Sequence, residues 1–237
     1  MMLCMLLVLA LQADAAKPAA ATKADVDRGI QLLQAAQKAM GGAEKLAAVK
    51  DTTQTMEVAL AAPFEGTKIS QTTRYLAPSE IRQEQVNKQR KTVVYSDGKS
   101  GWISTQKAST PLSGEGNATA RSTMFRQPST LMLSDRDRSR TVKAVGANAV
   151  EIASADGQKV KVEFDPKTGL PLRQSYALSS NGVSVTRTET LSDWRDVGGV
   201  RLPFHSVQVD ADKKMLEISV QSYKINTGLT SIQLSKP

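Results

Sequence analysis

The sequence predicts an all-β fold laid out as an antiparallel meander, and three observations carry that expectation. Thr188 to His205 reads as a strand ending near Trp194, a Gly198-Gly199 turn and a return strand from Val200, because a glycine pair supplies the positive φ of a tight hairpin. Phe164 to Arg173 reads as a second hairpin, with Pro166 at the first turn corner and Gly169 near its end, the positions those residues favour. Finally, Val160, Val162 and Phe164 alternate with Lys159, Lys161 and Glu163, and Leu216, Ile218 and Val220 fall on one side of a later segment, as the two-residue period of a half-buried strand requires.

The 237 residues suit one large all-β domain. Residues 1–15 are set apart: Leu3 to Leu11 is almost wholly apolar and Ala13-Asp14-Ala15 has the small residues a signal peptidase reads, so cleavage is expected after Ala15. The apolar run is too short to span a bilayer. Cys4, the one cysteine, lies inside this segment, which leaves the mature chain without disulfides, thiolate metal sites or a cysteine nucleophile. Cys4 also sits too near the start to be the acylated residue of a lipoprotein signal, so the expected product is unanchored and periplasmic or secreted. Residues 16–23 form a flexible leader and residues 24–237 the domain.

Asp25 is read as the cap of a helix whose Val26, Ile30, Leu33, Ala36 and Met40 recur at helical spacing, with Gly41-Gly42 ending it. A short helical piece follows over 43–49. Strands are expected over 51–60, 67–76, 80–86, 91–95 and 101–104, the last two joined by Ser96-Asp97-Gly98-Lys99. Gln106 to Ala120 reads as a mobile surface loop, rich in Ser, Thr, Gly and Pro. Met124-Phe125 and Leu131 to Leu133 belong to a helical segment with Pro128 near its start, and Asp135 to Arg140 to a solvated loop. Strands resume over 149–154, 159–164, 170–178, 183–194, 200–209 and 215–225. In all, about ten strands are expected, at a spacing typical of one all-β sheet or barrel.

A search for chemistry returns little. His205 is the one histidine, whereas a zinc protease needs at least two beside a carboxylate and a serine triad needs its histidine against an activated serine. No nucleophile elbow, phosphate loop or dinucleotide fingerprint occurs. Asp193 and Asp196 flank Arg195 beside a turn and read as turn chemistry. The expectation is therefore a protein with no catalytic residues, cofactor or metal. A formal charge of +8 favours anionic partners. With aromatics at 4% there is little for bases to stack on, and with an export signal an anionic envelope surface is expected ahead of nucleic acid, the ordinary alternative to both being a merely solvated basic exterior.

Four patches appear in an order that resembles the outer-membrane lipoprotein-sorting family, the periplasmic lipoprotein carrier and its receptor: 77–82 (Ala-Pro-Ser-Glu-Ile-Arg), 95–102 (Tyr-Ser-Asp-Gly-Lys-Ser-Gly-Trp), 165–173 (Asp-Pro-Lys-Thr-Gly-Leu-Pro-Leu-Arg) and 193–204. Residues 39–46 and 225–237 are similar to a subgroup found alone or as the tail domain of bacterial insulinase-like zinc peptidases. The resemblance implies a mainly β fold with a few helices: a strongly curved antiparallel sheet, an incomplete β-barrel, with helices covering its open mouth. It also implies an apolar cavity for the acyl chains of a lipid or lipoprotein. Trp102, Val160, Val162, Phe164, Ile218 and Val220 would line the cavity, with Met124, Phe125, Leu131 and Leu133 on the covering element. The alternative expectation is an interaction module with a filled core, docking an envelope protein through a sheet edge or the 106–120 loop.

Overall fold

The computed structural model of the protein describes residues 21–88, 90–180 and 183–236. The expected signal segment and most of the leader lie outside them. Among the described residues the strands are β1 (Asp51–Leu60), β2 (Lys68–Leu76), β3 (Glu80–Asn87), β4 (Arg90–Ser96), β5 (Gly101–Thr105), β6 (Ser109–Pro111), β7 (Arg140–Ala144), β8 (Ala149–Ser154), β9 (Lys159–Phe164), β10 (Pro171–Ser180), β11 (Val183–Val197), β12 (Val200–Asp210) and β13 (Lys213–Ile225). They form a single antiparallel sheet in the order 6-5-4-3-2-1-13-12-11-10-9-8-7, so it does not close into a barrel. The chain starts in the middle of the sheet, meanders out to one edge at β6, crosses to the other edge at β7 and meanders back until β13 lies beside β1.

That crossing determines the shape. The β6–β7 connection carries the helices α3 (Gly114–Phe125) and α4 (Pro128–Leu131), and α3 contacts both β3 and β10. Those strands stand six places apart in the sheet, about 29 Å if it were flat. One helix, ~10–12 Å across, touches both only because the sheet curls around it. α1 (Lys23–Ala39) and α2 (Ala43–Ala47) precede β1, and α1 packs on β7 and β8. A last helix, α5 (Ser231–Ser235), lies against β3 and β4 on the outer face: Arg82 donates to the carbonyls of Leu234 and Lys236, whereas its neighbour Ile81 packs inward with Met124 of α3.

The hairpin at Gly198-Gly199 forms as expected, with φ of +62° and +85°, and its strands run on to Val197 and from Val200. Other expectations are corrected. Thr22, not Asp25, caps α1: the Thr22 side chain accepts from the Asp25 N–H while the Asp25 carboxylate accepts from the Thr22 N–H, a reciprocal capping box. The 106–120 stretch is not simply a loop. It holds β6 and most of α3, which is capped by Ser113 and fixed by burial of Ala120, Ser122, Met124 and Phe125. β7 begins inside the charged run, because Arg140 turns inward over the Phe125 ring and donates to Thr130 and Ser134. The additional strands β6 and β7 are the two edges, and both are short, as edge strands often are.

The largest core cluster joins α1 and α4 to the β7–β10 half of the sheet, through Leu33, Met40, Leu131, Val150, Val160 and Val162. Among the described residues no helix is long and apolar enough to cross a membrane.

Candidate functional site

Beside this filled half the curled sheet and α3 border a partly open hollow of about 430 Å³, within the ~300–1,000 Å³ range of small-molecule clefts. Strand periodicity determines what faces it. Met56, Val58 and Leu60 alternate inward on β1, Ile69 on β2, and Leu216, Ile218 and Val220 on β13. Register pairs Val58 with Ile218 and Leu60 with Leu216, so these aliphatic side chains make a continuous floor. A bulge opposite Thr55/Met56 then changes the parity of β13 and turns Tyr223 into the hollow as well.

Around this floor the lining is polar. Seven glutamines border the hollow. Gln85 donates to Gln71 at 2.8 Å, and Gln71 donates to Thr73 at 3.0 Å. On the opposite wall Arg187 forms a two-pronged pair with Asp210 at 2.7 and 2.6 Å and donates to Gln208, while Ser206 donates to Glu189 at 2.7 Å. α3 contributes Thr119, Thr123 and Arg126, one face of a helix by their spacing. The Arg126 guanidinium lies 3.5 Å from the centre of the Tyr176 ring and donates to the Ser122 carbonyl at 2.8 Å. Burial pushes the Arg126 guanidinium down from its ordinary range, and Tyr176 and Glu189 offset this only in part. Burial likewise pushes the Tyr176 hydroxyl up to about 12.

Of the ten side chains expected to hold an acyl chain, Ile218 and Val220 line the hollow. The other eight do not. Phe125, Leu131, Val160, Val162 and Phe164 are buried in the main core, with Leu133 packed against it. Met124 packs with Tyr75 and Ile81. Trp102 is on the outer face, where its ring N–H donates to the Ser235 carbonyl at 3.1 Å and it stacks near Tyr95 and Arg82. The physical reason is helix placement: α1 and α4 fill the β7–β10 concavity, and the open space is displaced toward β1, β2 and β13. The glutamines and Arg126 went unrecognised. Their signal was available, because Glu57, Arg74, Arg82 and Glu84 pair with one another or with lysines on the outer face, which assigns the alternating Gln54, Gln71, Gln83 and Gln85 to the inner one.

His205 has more company than expected. Its Nδ1 lies 2.9 Å from the Ser192 Oγ and its Nε2 lies 2.9 Å from the Glu217 Oε1, with Lys214 also on Glu217. The order serine, histidine, carboxylate matches a hydrolytic triad, but its setting differs. The three side chains stand across the adjacent strands β11, β12 and β13, with His205 also bordering the hollow, in a ladder whose backbone N–H groups pair between strands. Cross-strand polar pairing accounts for them. Among the described residues no group of three His, Cys, Asp or Glu is arranged to hold a metal.

No family model matches the chain, and no curated protein matches it. Solved structures do. A LolA superfamily protein from Nitrosomonas europaea superposes with a TM-score of 0.59 at 12% identity, covering 88% of this chain and 97% of its own. A DUF1329 family protein from Desulfovibrio piger gives 0.57 at 11% identity, over 89% and 97% of the two chains. An outer-membrane lipoprotein-sorting protein domain from Vibrio parahaemolyticus gives 0.56 at 15% identity, over 88% and 97%. The open antiparallel sheet wrapped around crossing helices is thus the fold seen in the lipoprotein-sorting domain and the LolA superfamily.

Proposed function

We propose that the protein is a non-catalytic carrier that holds an acyl chain of a lipid or lipoprotein in the hollow beneath α3, in the periplasm or after secretion. The observation that supports this reading is the aliphatic floor of β1, β2 and β13, whose side chains pack side by side and border a hollow partly open to solvent. At ~0.8 kcal/mol per buried methylene, ten methylenes would contribute roughly 8 kcal/mol gross. Association costs of ~4 kcal/mol or more leave at most ~4 kcal/mol from ten methylenes alone, a millimolar affinity, so a longer buried chain or a headgroup contact is needed for tight binding. α3 suits the part of a cover, being held by the two chain segments that bridge the edges of the sheet. The similarity of residues 39–46 and 225–237 to the subgroup found alone or as a peptidase tail domain is consistent with a relative of that module.

A specific observation favours a second reading. Six of the ten expected ligand residues interlock with α1, α3 and α4, which is what a filled interaction module that docks an envelope protein would show. Native mass spectrometry of the full-length protein purified from envelope extract separates the two. Co-purifying lipid supports carriage; a bare polypeptide that also takes up no added lipid supports docking.

A further inference from the structure

We propose that Arg126 is the headgroup anchor of the hollow, so that the ligand is an anionic single-chain amphiphile with its carboxylate or phosphate on the guanidinium and its tail along the β1–β13 floor. The inference rests on the acyl-chain reading and adds ligand charge and orientation to it.

Two arginines line the hollow and they are treated differently. Arg187 is neutralised by both oxygens of Asp210, at 2.7 and 2.6 Å. Among the described residues Arg126 makes no ion pair with a carboxylate; it contacts Ser122 and Tyr176. Its Nη1 is bonded to the carbonyl and hydroxyl of Ser122, and Tyr176 supports the charge through its ring face and by accepting a hydrogen bond, all of them neutral partners that bring no counter-charge. Glu189, the carboxylate whose field reaches Arg126, is bonded to Ser206 at 2.7 Å. A guanidinium crowded by protein yet left without a counter-ion is costly, and an acidic headgroup supplies the missing partner through two parallel N–H···O bonds. The aliphatic floor and the cation border the same hollow, matching the two halves of an amphiphile.

The test uses the mature full-length protein loaded with the neutral fluorophore N-phenyl-1-naphthylamine. Displacement by palmitate, hexadecanol, acetate and inorganic phosphate is compared in wild type, R126Q and R126K. Palmitate is expected to displace the probe at concentrations at least tenfold below hexadecanol, ~1.4 kcal/mol. R126Q should collapse that ratio toward one, and R126K, which keeps the charge but not the fork, should fall between. Equal displacement by palmitate and hexadecanol in wild type, or an R126Q that weakens both alike, overturns the anchor and leaves the acyl-chain reading standing. Arg126-dependent displacement by acetate or inorganic phosphate at palmitate's concentrations assigns a free anion and overturns the amphiphile. If none of the four compounds displaces the probe, the anchor and the carrier reading fail together. Should R126Q not fold, the wild-type acid-to-alcohol ratio and R126K decide.

Discussion

The Arg140 guanidinium lies 4.7 Å from the centre of the Phe125 ring and closes that ring into the core at the point where α3 hands over to α4. Phe125 is 7% exposed and packs with Leu131, Val160 and Val162. It is therefore permanent core. Phe125→Ala should cost ~3–5 kcal/mol by denaturant unfolding, the range for deleting a buried ring, with β7 loosened alongside.

Ile218 offers the contrast, being half-buried and facing the hollow. Ile218→Asp is expected to abolish uptake of a fluorescent fatty acid while moving the thermal midpoint by no more than about 4 °C, a change of ~1 kcal/mol in a chain of this size. A cooperative collapse instead would place Ile218 in the structural core.

The corner between α1 and α2 is seated on the β11–β12 turn. A Cβ at Gly41 would lie 2.1 Å from the Gly199 carbonyl oxygen, and Gly41 has φ of +113°. Gly42 has nearly the same φ, +107°, but nothing within 4 Å. Gly42→Ala should cost only backbone strain, on the order of 1 kcal/mol, whereas Gly41→Ala adds a steric clash and should cost roughly 2–3 kcal/mol. Equal losses in parallel denaturation curves would show that the seat on Gly199 is unimportant.

On the outer face Glu84 gathers Arg74, Arg82 and Lys91. Burial alone would raise its carboxyl, but the hydrogen bonds from Lys91, Arg74 and Arg82 outweigh burial and hold it at about 2, against an ordinary 4.5. A depressed acid contributes stability that is complete above its unfolded value and is lost as pH falls through its folded value. Stability should therefore decline between pH 4.5 and 2, and Glu84→Gln should be less stable at pH 7 yet show a shallower decline. Identical pH slopes for both proteins would contradict this.

Strands were legible because turn chemistry and alternation act locally. The hairpin at Gly198-Gly199 and the faces of 159–164 need only neighbouring residues. α3 was hidden because Gly114 to Thr123 is poor in helix formers and only weakly amphipathic, and packing between β3 and β10 stabilises what propensity does not. The edge strands β6 and β7 are too short to show a period. Gln37 is buried and ties α1 to the Met132 carbonyl and Asp135 at 2.8 and 2.7 Å, contacts with residues too far along the chain for local pattern to show. At the hollow, alternation puts Ile218 and Val220 on the face that borders it. Most of the other expected residues lie elsewhere, because which part of a concave sheet the helices fill depends on contacts far apart in the chain, such as α1 with β7 and β8.

The direct test is a methyl-resolved NMR titration of the isoleucine-labelled protein with palmitate. Ile69 and Ile218 line the hollow, whereas Ile81 and Ile152 are fully packed elsewhere. Binding in the hollow predicts saturable shifts at Ile69 and Ile218 with Ile81 and Ile152 nearly still. Shifts at Ile152 with none at Ile218, or a spectrum indifferent to palmitate, would contradict the carrier account.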